Sequence, residues 1–155
     1  MMFLILTAGA DSYALAASQV TEVVPMARLR SCPGAPDYVA GLLNFRGLAV
    51  PVIDMCRLAA GKASAERLST RIILTPYRRR NGLQRLIGIM AEGVTDAVDM
   101  KPEEFASSGV HADGSEYLGE IACGPRGMVQ RVEVERLLPV DVDGLLFDEG
   151  TDAGS

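Results

Sequence analysis

A hairpin signal in the middle of the chain constrains its fold more than any other feature. Residues 40–45 and 48–53 are two apolar runs separated by the dipeptide Arg46-Gly47. A tight hairpin needs a positive φ angle in its turn, and glycine adopts this conformation without steric cost. The second run does not alternate apolar with polar residues, so both of its faces are predicted to be covered. Pro51 lies within this run and cannot donate to a ladder, which predicts a strand edge or a bulge there.

Similar short apolar runs, separated by turn residues, recur along the chain. Further strands are predicted at 3–8, 13–16, 71–77, 83–90, 93–100, 117–122 and 128–132. Asp54 is predicted to cap a short helix that ends near Ala60, and residues 18–23 are predicted to form a helical turn. Many short strands with few long helices predict an all-β fold of small barrels rather than a parallel sheet.

The length of 155 residues favours one domain or two closely joined subdomains. A polar connector of small residues at 61–69 predicts a seam between two subdomains of a single domain that spans 1–140. Residues 141–155 are predicted to form a short, acidic, disordered tail. The apolar start at 2–6 is too short for a signal peptide, and no apolar run approaches the ~20 residues of a membrane span. These features predict a cytoplasmic protein.

Charge and cysteine content exclude several classes of function. The formal net charge is -5, whereas electrostatic binding of nucleic acid needs a basic footprint. Cys32, Cys56 and Cys123 are widely spaced and form no CxxC pair, so neither a zinc site nor a disulfide framework is indicated. We interpret them as small buried hydrophobic side chains in a reducing cytosol. No metal or other cofactor is predicted.

Candidate catalytic groups are few. The single histidine, His111, lies in a loop rich in Ser, Gly and Asp and is predicted to be solvated. A small enzyme could otherwise use Asp54 or Asp96, but no nucleophile is paired with a base at a recognisable spacing. The chain is therefore predicted not to be an enzyme.

One basic cluster is visible, formed by residues 78–80 together with Arg85. These arginines lie at a predicted hairpin tip, where solvated charges discourage edge-to-edge aggregation. The alternative is that they contact an acidic partner or an anionic membrane surface.

Three motifs, taken in order, resemble the CheW-like family of chemotaxis coupling proteins. They are Val20-Thr21-Glu22, the turn Gly41-Leu42-Leu43-Asn44-Phe45-Arg46-Gly47 and the strand end Pro51-Val52-Ile53-Asp54. The resemblance continues through residues 86–98, 117–119 and 133–138, and so covers nearly the whole chain. Phe45 replaces the usual leucine, and Glu133 stands where aspartate is common. Residues 67–71 and 137–147 are also similar to couplers of Wsp-type surface-sensing pathways.

The resemblance implies two intertwined, five-stranded, SH3-like β-barrels with a few short helices. It also implies an adaptor between a CheA-type histidine kinase regulatory domain and the cytoplasmic tip of a methyl-accepting chemoreceptor, recruited to the inner-membrane face through receptor arrays. The residues implied at or beneath the receptor-binding groove are Val20, Glu22, Gly41, Asn44, Arg46 and Ala97. Those implied to hold the turn and strand are Phe45, Gly47, Pro51 and Asp54.

Two alternatives stay open. Glu22 and Arg46 could form a structural ion pair that braces the hairpin, with or without a contact to a receptor. The fold could also serve a small β-barrel module that binds nucleic acid or another ligand, although the acidic charge and the 5% aromatic content count against nucleic acid.

Overall fold

The computed structural model describes residues 1–110, 114–125 and 127–147, with the backbone alone at residues 95 and 96. The described residues form eleven strands, two α-helices and three short 3₁₀ helices. The strands are β1 (Met2–Ala8), β2 (Asp11–Ala16), β3 (Glu22–Pro25), β4 (Val39–Phe45), β5 (Leu48–Asp54), β6 (Arg71–Arg78), β7 (Gln84–Ala91), β8 (Gly93–Asp99), β9 (Phe105–Ala106), β10 (Leu118–Gly124) and β11 (Gly127–Val132). The α-helices are α1 (Met55–Ala60) and α2 (Val140–Leu146).

The strands form two sheets. The first has the order β8-β1-β2-β11-β10-β9, and the second has the order β3-β6-β7-β5-β4. All neighbours are antiparallel except β2 with β11 and β5 with β7. The first sheet takes its strands from both ends of the chain, whereas the second is built from the middle. The predicted all-β fold of two intertwined small barrels is confirmed, with the two-residue strand β9 as a sixth strand in the first.

Both sheets are curled. In the second, β3 and β4 lie at opposite edges of the strand order, yet the side chain of Glu22 on β3 meets that of Arg46, which directly follows β4. In the first, three strands separate β1 from β9, yet the ring centres of Phe3 and Phe105 are 5.1 Å apart. Such contacts across the sheet require each to close on itself.

Alternation along the strands divides the apolar residues among three cores. On β1, Phe3 and Ile5 point into the first barrel, while Leu4 and Leu6 point into a larger core between the barrels. On β6, Ile72 points into the second barrel and its neighbour points into the shared core. Both faces of these strands are therefore buried, which explains why their sequences are continuously apolar.

The predicted seam at residues 61–69 is wrong. This connector joins α1 to β6, and both β5 and β6 belong to the second sheet. The chain instead crosses between sheets twice, once before β3 and once at Glu92 between β7 and β8. A change of composition marked a loop correctly, but loops within a barrel and loops between barrels have the same composition.

The prediction of a disordered tail from residue 141 is wrong for residues 141–147. Most of this segment belongs to helix α2, and Val142 and Phe147 are buried in the shared core. The remaining residues of the predicted tail, 148–155, lie outside the described residues.

The predicted helical turn at residues 18–23 is replaced by two elements. A 3₁₀ helix spans Ala17–Gln19, and β3 then begins at Glu22. Val23 and Val24 are β-branched and favour a strand, and β3 pairs along its whole length with β6. The segment that carries Val20 and Glu22 is therefore the edge of a sheet.

Candidate functional site

The turn between β4 and β5 is the most unusual part of the backbone. Arg46 has a φ of 53° and Gly47 a φ of 84°, the pattern of the type I′ turn that suits a two-residue hairpin. Arg46 is the one non-glycine residue with a positive φ among those the structure describes. Asn44 supports the turn, because its Oδ1 accepts a 2.9 Å hydrogen bond from the Gly47 amide. The glycine was predicted for this geometry, whereas the strained arginine was not.

Arg46 and Glu22 form an ion pair where the second barrel closes. The Arg46 Nη2 donates to the Glu22 Oε1 across 3.0 Å, and the two side chains are 75% and 39% exposed. The Arg46 guanidinium also lies 4.7 Å from the centre of the Phe45 ring. An exposed pair of this kind contributes at most about 1 kcal/mol to stability. The arginine fork is thus held in a fixed position while most of its surface faces solvent.

Gly41 has a structural reason to be glycine. Its φ is 148°, and a Cβ atom there would lie 2.5 Å from the carbonyl oxygen of Arg30. The segment around Arg30 forms a bridge with Leu42, and β4 changes register between Val39 and Gly41. Gly41 therefore allows a neighbouring backbone to approach close to the strand that leads into the turn.

The other residues of the predicted groove are more dispersed. Val20 is half-buried against the shared core, two residues before Glu22. Ala97 is exposed on β8, at the edge of the first sheet, where it pairs with Leu4. The structure thus brings Glu22, Asn44 and Arg46 to one end of the second barrel and places Ala97 on the other barrel.

The residues predicted to hold the turn and strand lie inside the second barrel or next to it. Phe45 is half-buried and packs against the apolar interior. Pro51 is buried and pairs with Leu42, but the parallel pairing of β5 with β7 starts only at Val52. The proline therefore precedes the part of β5 that needs two hydrogen-bonding neighbours, which corrects the prediction of a sheet edge.

Asp54 caps α1, as predicted. Its Oδ1 accepts hydrogen bonds from the amides of Cys56 and Arg57 at 3.0 and 3.3 Å. Ser64 donates to the same carboxylate through its hydroxyl at 2.6 Å and its amide at 2.9 Å. Asp54 is 4% exposed and fully engaged in these contacts. It organises the loop after α1 and makes no approach to Arg46.

Glu92 is a second organising carboxylate, and sequence reasoning did not identify its role. It accepts hydrogen bonds from the amides of Gly9 and Ala65 and from the thiol of Cys56, at 3.0 to 3.1 Å. These donors, the thiol first, hold the pKa of Glu92 below its ordinary value. They come from distant parts of the chain, so no local motif could have indicated them.

The basic cluster at residues 78–80 is not uniformly solvated. Arg79 is 7% exposed and donates from Nε and Nη2 to the Asp143 Oδ1 at 3.0 and 2.9 Å. The Tyr77 hydroxyl donates to the other oxygen of Asp143 at 2.7 Å. Burial, and then Asp143, raise the pKa of the Tyr77 phenol. Arg78 and Arg80 are exposed as predicted, whereas Arg79 fastens helix α2 to the hairpin.

The three cysteines are free thiols with different surroundings. Cys56 is buried, as predicted, and burial raises the pKa of its thiol. Cys32 is partly buried, and Cys123 is exposed, so the prediction of three buried side chains is wrong for Cys123. Cys123 lies on β10 two residues before its turn into β11, where the side chain extends beyond the core.

The part of the chain that the structure describes holds no group of three or more His, Cys, Asp or Glu side chains placed to bind a metal ion. His111 lies outside the described residues, and the side chain of Asp96 is likewise not described. Within the described residues, no helix is long and apolar enough to cross a membrane.

Two small barrels that share one apolar core, with an arginine presented where the second closes, define a double-barrel domain of the CheW-like type. The CheW-like domain family matches residues 2–142, and the chain therefore belongs to this family. The family assignment does not favour the alternative of a nucleic-acid-binding barrel.

Named relatives agree with this assignment. The chain is 29% identical over 139 residues to "Chemotaxis protein CheW" of Klebsiella aerogenes, covering 88% of this chain and 80% of that protein. It is 23% identical over 128 residues to the protein of the same name from Bacillus subtilis, covering 81% and 79% of the two chains. The crystal structure of the scaffolding protein TtCheW from Thermoanaerobacter tengcongensis superposes with a TM-score of 0.77 at 20% identity, covering 91% and 89% of the two chains. The fold is thus that of a solved scaffolding protein.

Proposed function

We propose that this protein is a non-enzymatic adaptor that couples the cytoplasmic tip of a methyl-accepting chemoreceptor to a CheA-type histidine kinase. Membership of the CheW-like family and relatives named as chemotaxis proteins support the role. The protein acts in the cytoplasm and reaches the inner-membrane face through the receptor. The proposed receptor contact is the groove around Glu22, Asn44 and Arg46, with Val20 and Gly41 beneath it and Ala97 at its far side.

The conformation of Arg46 is the observation that carries the groove assignment. A left-handed backbone costs about 1–2 kcal/mol for a residue with a side chain, and asparagine or glycine would avoid most of this cost. The exposed ion pair with Glu22 returns at most about 1 kcal/mol. Arginine therefore gives the fold little advantage at this position. A strained residue that stability does not explain indicates a function, and a fixed guanidinium fork suits a partner carboxylate or carbonyl.

Substitution of Arg46 by asparagine tests this proposal most sharply. Asparagine tolerates the left-handed turn and is preferred in type I′ hairpins, so Arg46→Asn keeps the backbone and removes the guanidinium. We expect the affinity for a receptor-tip fragment, measured by calorimetry, to fall about tenfold or more. The thermal midpoint should stay close to that of the native protein, and kinase binding should be unchanged.

Two further variants separate recognition from bracing. Arg46→Ala keeps the strain and loses the side chain, so it should bind as weakly as Arg46→Asn and be slightly less stable. Glu22→Gln removes only the charge of the bracing partner. If Arg46→Asn binds the receptor fragment as tightly as the native protein, the groove assignment is wrong, and a large loss of stability in the same variant would identify Arg46 as structural.

A further inference from the structure

The connector between α1 and β6 is held in place at almost every residue. Ser64 is bound to the buried carboxylate of Asp54, and the Ala65 amide donates to Glu92 at 3.0 Å. The buried Thr70 hydroxyl donates to the Ala65 carbonyl at 2.6 Å and accepts from the Arg67 amide at 3.2 Å. The short connector is thus a rigid loop, although its composition is that of a flexible linker.

This rigid loop presents an exposed leucine. Leu68 is 93% exposed, more than any other large hydrophobic side chain among the described residues. Its carbonyl accepts from Arg71 Nη1, and the next residue, Ser69, donates to the Glu92 carbonyl at 2.8 Å. The backbone on both sides of Leu68 is therefore fixed, and its side chain is directed away from every core. Full burial of a leucine in a partner is worth about 2 kcal/mol, and here little ordering cost opposes it.

Two arginines lie beside the leucine. An open cleft of about 590 Å³ is lined by Met26, Ala27, Arg28, Glu66, Arg67 and Leu68. Arg28 and Arg67 are exposed, and neither makes an ion pair with any residue that the structure describes. Two free cations face one carboxylate, in a chain whose net charge is -5. The surface therefore combines an apolar anchor with a local positive charge.

The leucine patch, as we name this surface of residues 26–28 and 66–68, is separate from the proposed groove. Strand β3 connects the two regions. Glu22 begins β3 and pairs with Leu74, whereas Pro25 ends β3 and pairs with Arg71, next to the patch. The groove and the patch thus lie at opposite ends of one short strand, so two partners could be bound at the same time.

We infer that the leucine patch is a second docking surface, which takes an acidic face of a partner protein containing an apolar pocket for Leu68. A protein fits better than a membrane, because lipid binding uses a broad apolar helix face or clusters of four to eight basic residues. The inference rests on the proposed function in one respect: the histidine kinase is the partner we assign to this surface.

The test measures binding of the purified kinase regulatory domain to the full-length protein by calorimetry. We expect Leu68→Ala to weaken the affinity about tenfold, with an unchanged thermal midpoint because the side chain is exposed. The double variant Arg28→Glu/Arg67→Glu should weaken it at least as much and should reduce its dependence on salt. The matched controls are Leu145→Ala on α2, which is 50% exposed in the native protein, and Arg78→Glu at the hairpin tip. Both should bind within about twofold of the native protein.

The outcomes distinguish the two proposals. If the native protein binds the kinase and both patch variants bind equally well, the leucine patch is not a kinase-docking surface and the inference is overturned, while the adaptor function stands. If the native protein binds no kinase, both fail. Binding of phosphatidylserine vesicles that is lost in Leu68→Ala would identify a lipid surface and also overturn the inference.

Discussion

Single residues in this protein carry requirements that their chemistry alone does not reveal. Gly41 and Gly47 both have positive φ angles and both belong to the motif that indicated the family. A Cβ at Gly47 would meet no atom within 4 Å, whereas a Cβ at Gly41 would collide with the Arg30 backbone. One glycine is needed for its conformation alone, and the other for both conformation and space.

This difference predicts unequal effects of the same substitution. Gly47→Ala should cost about 1 kcal/mol, the usual penalty of a left-handed backbone. Gly41→Ala should cost clearly more, about 3 kcal/mol, because the Arg30 carbonyl must also move. Urea denaturation of both variants checks this, provided that the slope of unfolding free energy against urea is unchanged. Equal losses in the two variants would show that close packing at Gly41 contributes nothing.

At the scale of elements, the sequence predicted most strands, because punctuated apolar runs and turn residues are local signals. It also predicted helix α1, since an aspartate cap is visible within one turn. The errors fall where tertiary contacts decide. Strand β3 is short and depends on β6, and α2 depends on contacts with β6 and its hairpin. Among the site residues, the turn could be predicted, whereas the Arg79–Asp143 pair joins residues 64 positions apart.

Helix α2 supplies the element-scale prediction. It has two turns and one glycine, so it cannot be stable alone. Its attachment is the buried pair of Asp143 with Arg79, joined by Tyr77 and by the stacking of Phe147 on Tyr77 with ring centres 5.8 Å apart. Removing one partner of a buried ion pair costs about 3–5 kcal/mol. Asp143→Ala should therefore destabilise the protein by roughly this amount and release α2.

The control for this prediction lies on the same helix. Asp141 is exposed, so Asp141→Ala should change the free energy of unfolding by less than about 0.5 kcal/mol. Chemical denaturation gives the energies, and limited proteolysis reports whether α2 becomes accessible. Asp143 and Phe147 lie beyond residue 142, where the family match ends. A neutral Asp143→Ala variant would mean that α2 contributes nothing to the stability of the matched domain.

At the scale of the whole molecule, the two barrels are joined by a shared apolar core and by Glu92. This residue occupies the crossing from the second sheet to the first. Its carboxylate binds Gly9 in the turn of β1 with β2, Cys56 on α1 and Ala65 in the rigid connector. It thereby fixes the loop that carries Leu68 relative to both barrels. The separation between the two proposed docking surfaces depends on this one group.

The ionisation of Glu92 should therefore appear in the pH dependence of stability. The folded protein lowers the pKa of this carboxyl below its ordinary value of 4.5, so the folded state favours the charged form. The resulting stabilisation is complete above pH 4.5 and is lost as the pH falls through the lower pKa of the folded state. Glu92→Gln should cost about 1–3 kcal/mol at pH 7, because the Ala65 amide loses its acceptor. The difference between the two proteins should shrink as the pH decreases below 4.5.

Urea denaturation of both proteins between pH 3 and pH 7 measures this difference, and the exposed Glu120→Gln is the matched control, expected to follow the native protein at every pH. A gap between native protein and Glu92→Gln that stays constant through the acid range would show that shape, not charge, fixes the crossing. If the gap closes as expected, Glu92→Gln at neutral pH should also weaken kinase binding, because the loop that carries Leu68 loses one of its attachments. Receptor binding at Arg46 should be unaffected, since that turn makes no contact with Glu92.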